Sequence, residues 1–111
     1  MEKFTVGSVV LVTFPFSNLR GKKIRPALVL AKSEFDNVIL CQITSKPYSS
    51  KTTIRITSSD FASGSLPVVS FIRPDKIFTA DTTIISAVAG KLTEKTRKKV
   101  LQKVRKQFAT P

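Results

Sequence analysis

Two arginines stand immediately before prolines, Arg25-Pro26 in "KIRPALVL" and Arg73-Pro74 in "SFIRPDKIF", and each pair abuts an apolar run. A residue preceding proline is pushed out of the helical region into an extended conformation. Proline has no N–H to give a ladder, so it marks the start or the edge of a strand. Arg25 and Arg73 are therefore expected at strand edges, where a guanidinium can leave the core and reach a cleft. Its planar fork grips a phosphate with two hydrogen bonds, which a lysine ammonium cannot do. Asp75 follows Arg73 by two residues and shares its face if the backbone stays extended. Thr44 and Ser45 close the apolar stretch "VILCQITS" and place two hydroxyls where a strand opens into a loop. Taken singly, each residue also has a purely structural reading, with the arginines paired to surface acids and the hydroxyls capping a strand.

The residue types exclude much other chemistry. The chain has no histidine, which removes Ser-His-Asp and Cys-His triads, HExxH zinc sites and paired-histidine ribonuclease chemistry together. Its single cysteine and seven scattered acids supply no zinc site and no two-metal cluster, so no cofactor is expected. Its four glycines spell neither GxGxxG nor GxxxxGK[ST]. Catalysis would fall to Arg, Lys, Asp, Glu, Ser, Thr or Tyr. Arginine and threonine carry protons poorly but bind phosphate well.

These groups need a scaffold, and 111 residues suffice for one domain, 1–111, with a modest core. An apolar content of 41% with a mean hydropathy of +0.06 describes a globular chain. The longest apolar runs fall far short of the roughly 20 residues a membrane span needs. "MEKFTVGS" lacks the apolar core of a secretory signal, so the cytoplasm is the expected compartment, with no membrane partner. Cys41, among aliphatics, reads as an inert core residue. Nineteen Lys and Arg against seven Asp and Glu give a net charge of +12, the footprint of a polyanionic partner. Seven of these cations fall in the C-terminal stretch from Lys95 to Lys106; setting them aside still leaves +5.

Period-two or fully apolar segments predict strands near 8–14, 26–32, 37–45, 52–57, 67–72, 76–80 and 85–91. Short strands at such spacing favour a small barrel or sandwich. The period then changes: "LTEKTRKKVLQKVRKQF" sets Leu92, Val100, Leu101, Val104 and Phe108 on one helical face, with Thr93 as N-cap and Glu94 in the first turn.

Taken together, "GSVVLVTFPFSNLRGKKIRPALVLA", "CQITS", "IRPDKIFTAD" and the C-terminal amphipathic helix resemble the MazF/PemK-like toxins of type II toxin–antitoxin modules. The resemblance covers essentially the whole chain. It implies a mainly β fold, a small SH3-like barrel with a C-terminal helix, assembled as a homodimer. It implies a metal-independent endoribonuclease that cuts single-stranded mRNA at specific sequences and is held inactive by an acidic cognate antitoxin. By the same resemblance Arg25 is catalytic, Thr44 and Ser45 position phosphate and contact RNA, and Arg73 with Asp75 form a second catalytic pair. Such cleavage needs the substrate's own 2′-OH, an acceptor for its proton, and cations around the phosphorane. Asp75 is the acid nearest the motif and the candidate base. Two neighbouring arginines should lower its pKa, so it is equally a candidate for orienting Arg73. Base readout is expected from segments 15–23 and 46–52, where Lys22, Lys23, Lys46, Tyr48 and Lys51 are the candidates. Two other readings stay open: a gyrase poison of the same fold, or a non-catalytic nucleic-acid-binding barrel. The gyrase poisons end in an aromatic-Gly-Ile tail, whereas this chain ends "KQFATP".

Overall fold

Valine, isoleucine and threonine crowd the pleated surface well, and segments rich in them form six of the seven strands among the described residues. The computed structural model describes residues 4–15, 22–46 and 51–109. The strands are β1 (Ser8–Pro15), β2 (Lys22–Lys32), β3 (Asn37–Thr44), β4 (Ile54–Ile56), β5 (Phe61–Gly64), β6 (Ser70–Asp81) and β7 (Ile85–Leu92). One helix, α1 (Glu94–Lys106), follows, and short 3₁₀ turns precede β5 and β7. The strands make one sheet in the order β4-β6-β3-β2-β1-β7-β5, with every neighbouring pair antiparallel. It curls into a half-barrel with the helix packed against it.

The central strands are buried on both faces, which is why their sequences read as unbroken apolar runs rather than alternating ones. Val9, Leu28, Cys41, Ile43 and Ile72 pack with Val100 of α1 on one side. Val10, Val12, Ala27, Val29 and Leu40 pack with Phe4 on the other, together with Ile84 from the turn before β7. Gly7 enters β1 at φ +96°, a conformation that costs other residues, and its carbonyl accepts from Leu92 N at 3.0 Å. At the start of α1, Thr93 Oγ1 accepts from Thr96 N at 3.2 Å, and Glu94 occupies the first turn. Lys103, Arg105 and Lys106 fill the last, where the helix dipole favours cations. No helix of the described residues is long and apolar enough to cross a membrane.

The structure departs from the sequence reading in several places. The strands expected at 67–72 and 76–80 are one strand, β6, running through Pro74. Its pairing with β3 steps from Ile43↔Ile72 to Cys41↔Ile77, so Gln42 faces the whole stretch from Arg73 to Lys76. A proline is tolerated in such an irregularity because no ladder bond is asked of it. Nor does Arg25-Pro26 open its strand, since β2 begins at Lys22. Pro26 pairs with Leu11 of β1, and the ladder to β3 starts only at Ala27↔Gln42. The 52–57 strand shortens to Ile54–Ile56, and β5 forms where the sequence pattern marks no strand. Leu92 ends β7 rather than joining the helix, and Phe108 lies beyond α1 with 74% of its surface exposed.

Candidate active site

Directly opposed residues of an antiparallel pair project to the same face, and the face alternates along each strand. Val12 of β1 opposes Arg25, and Ala27 opposes Gln42. Thr44 opposes Phe71 of β6, and Phe71 opposes Arg55 of the edge strand β4. Following the alternation, Arg25, Gln42, Thr44, Phe71 and Arg55 share one face, the one that carries Val10, Val12, Ala27 and Val29. They stand at the end of the sheet where β1 and β3 finish and β2 begins. Arg73, two residues beyond Phe71, brings the second Arg-Pro unit to the same end of the sheet.

Within the bulge, Arg73 and Asp75 meet through a two-pronged pairing. Arg73 Nε donates to Asp75 Oδ1 at 3.3 Å and Nη2 to Oδ2 at 2.7 Å. The guanidinium side chain is 19% exposed and the carboxylate 41%. The hydrogen bond from Arg73 holds the Asp75 carboxyl below the usual range, aided by its own backbone hydrogen bond and the charges of Arg73 and Lys76, against a smaller opposing effect of burial. Beneath them, Cys41 Sγ donates to the Arg73 carbonyl at 2.8 Å. Burial, with a contribution from the Asp75 charge, pushes that thiol up to about 12, so it stays a neutral donor. The cysteine is core, as its aliphatic setting suggests, and it also supports the bulge.

Thr44 is buried, and its Oγ1 accepts from Lys46 N at 3.2 Å, so it caps the end of β3. Ser45, Lys46 and Lys51 are exposed beyond it, and Lys23 is exposed on β2 opposite Phe14. Lys22 pairs with Pro15 through its backbone, but its side chain lies outside the described residues. Tyr48 does too, as do 16–21 and 47–50, the greater part of the two segments expected to read bases. Sequence reasoning missed Arg55. Its signal was present in "TTIRIT": with Ile54 and Ile56 buried, the residue between them must project from the opposite face. That this face carries Thr44 and Phe71 depends on pairing between distant strands.

The fold is that of a known family. The model of the PemK-like, MazF-like toxins of type II toxin–antitoxin systems matches residues 5–108. The chain belongs to this family. Among solved structures, an endoribonuclease from Mycobacterial species superposes with a TM-score of 0.75 at 16% identity, covering 100% of this chain and 96% of its own. The MazE–MazF complex of Deinococcus radiodurans gives 0.75 at 17% identity, covering 96% of each chain. A Mycobacterial endoribonuclease in complex with its cognate antitoxin gives 0.73 at 16%, covering 95% and 96%. At such identities the likeness establishes the MazF fold. No match is found among curated protein sequences.

Proposed function

We propose that this PemK/MazF-like toxin is a cytoplasmic, metal-independent endoribonuclease that cleaves single-stranded mRNA and acts as a homodimer under the control of an acidic antitoxin. The observation that carries the reading is the Arg73–Asp75 pair, fixed in a bulge at the sheet end that also holds Arg25 and Thr44. In this reading the guanidinium groups of Arg25 and Arg73 neutralise the scissile phosphate as charge builds on it. Thr44 and Ser45 position the phosphate, and Arg55 extends the cationic row along the RNA strand. The RNA 2′-OH attacks the adjacent phosphorus, the P–O5′ bond breaks with the 5′-oxygen taking up a proton from water, and a 2′,3′-cyclic phosphate remains. Asp75 orients Arg73: both its oxygens are engaged, and its lowered pKa makes it a weak base. The 2′-OH proton then passes to water. Lys23, Lys46 and Lys51 line the approach, with Lys22 and Tyr48 assigned to the same role from the sequence.

The donor set favours a metal-free route. The groups gathered at this end are cations, hydroxyls and one carboxylate already engaged by Arg73, and no cluster of His, Cys, Asp or Glu suited to a metal occurs among the described residues. The test is cleavage of a defined single-stranded RNA in excess EDTA, beside a substrate with 2′-deoxyribose at the scissile position. Products ending in cyclic phosphate, absent with the deoxy substrate, are expected. Retarded bands without products would instead make the protein a binding module.

A further inference from the structure

The last turn of α1 is joined to the candidate site by two side-chain contacts. Gln107, the C-cap residue, donates from Nε2 to the carbonyl of Pro74 at 2.6 Å. Lys103, four residues earlier and hence on the same helical face, donates from Nζ to the carbonyl of Lys51 at 3.2 Å. Pro74 lies between Arg73 and Asp75, and Lys51 lies in the segment assigned to RNA contact. Since β6 has no regular pairing with β3 between Ile72 and Ile77, the bulge backbone depends on other partners. Among them, Cys41 holds the Arg73 carbonyl from the core at 2.8 Å, and Gln107 holds the next carbonyl from the helix.

We infer that Gln107 is a positioning residue that braces the Arg73–Asp75 bulge against the C-terminal helix, with Lys103 bracing the backbone of Lys51, a candidate RNA contact. Neither residue touches the reacting phosphate. Arg73 can stabilise charge only if its fork is aimed before the charge develops, and that aim is set by the backbone of residues 73–75. The inference rests on the proposed endoribonuclease reading for its kinetic consequence, but its structural consequence is measurable without RNA.

The test compares the wild-type chain with Gln107→Met, which keeps length and loses the donor, and Gln107→Glu, which sets a carboxylate against the Pro74 carbonyl. Circular dichroism establishes folding, and Gln107→Ser replaces the methionine variant if that one does not fold. NMR titration of the Asp75 carboxyl should show its value rising in the variants toward the ordinary ~3.9 as Arg73 loses its fixed place. On a defined RNA in EDTA, kcat should fall on the order of tenfold or more with KM nearly unchanged, because misplacing a catalytic group acts on the transition state. Lys103→Met should instead raise KM with kcat held. Folded Gln107 variants with wild-type Asp75 titration and wild-type kcat would overturn the brace. A wild-type protein that cuts no RNA while the Asp75 titration shifts in the variants would leave the brace standing and remove the catalytic reading.

Discussion

Arg25 and Arg73 reach the same end of the sheet by different routes. Arg25 sits in a regular ladder opposite Val12, so its direction follows from the alternation of β2. Arg73 sits in an irregularity and is directed by a carboxylate two residues away. Loss of Arg25 should therefore remove charge stabilisation while leaving the β1–β2 ladder in register. Arg25→Ala is expected to fold normally and to cost on the order of a hundredfold in single-turnover cleavage, as removing one preorganised donor does. Arg25→Lys should recover only part of that, because the two-pronged geometry is lost. A folded alanine variant with near-normal cleavage would remove Arg25 from the site. Asp75 makes a prediction about pH. Its pKa is lowered, so the stability from its pairing is fully present above the unfolded value, near 3.9, and is lost as pH falls through the folded value. From neutral pH down to about 4 it stays ionised, and the pH–rate profile should carry no acidic limb from it in that range. Asp75→Asn, which keeps one acceptor for Arg73, should lose less activity than Arg73→Ala. An acidic limb abolished by Asp75→Asn would make the carboxylate the general base instead.

Among the elements, the closing of the half-barrel depends on a close approach between β5 and β7. Gly64 adopts φ +67°, and a Cβ added there would run into the Ala89 carbonyl, while one on Gly90 would press on Ser63 and Phe61. Gly64→Ala is thus expected to destabilise by clearly more than the ~1 kcal/mol that separates these residues in ordinary helix or strand positions, read as a lower denaturant midpoint. A midpoint equal to wild type would show that β5 can move away without loss. The same pairing explains why β5 was illegible in the sequence. "FASG" has neither alternation nor β-branched residues, and what makes it a strand is a glycine twenty-six positions away in β7. β1, β2, β3, β7 and α1 were legible because their patterns are local: apolar runs for the doubly buried β1, β2 and β3, β-branched residues between turn signals for β7, and a Thr-Glu start for the helix. Pro74 misled for a local reason as well. A proline usually ends a strand, and only the slipped register of β3 and β6 lets this one lie within it. The candidate site divides in the same way. Arg25, Thr44, Arg73 and Asp75 could be named from residue type and spacing, whereas Arg55 and Gln107 enter through pairing and packing between distant segments.

On the scale of the molecule, the +12 charge bears on both partners. RNA and an acidic protein segment present the same sign to Arg25, Arg55 and Arg73, so a shared surface lets one exclude the other. The antitoxin expected from this charge has a flexible acidic segment that orders on the sheet end and covers those arginines. Long-range attraction should make its association fast, and the rate should fall steeply as salt is raised, because exposed charges are screened beyond roughly 10 Å at 0.1 M. The dissociation rate should respond much less, being set by contacts already desolvated. Stopped-flow association at several ionic strengths separates the two effects. Competition completes the argument: with a cognate antitoxin at saturation, a short non-cleavable RNA carrying 2′-deoxyribose at the scissile position should bind far more weakly. Arg25→Ala and Arg73→Ala should weaken both ligands together. An RNA affinity unchanged by saturating antitoxin would show that inhibition acts from a separate surface, with the sheet end left to RNA alone.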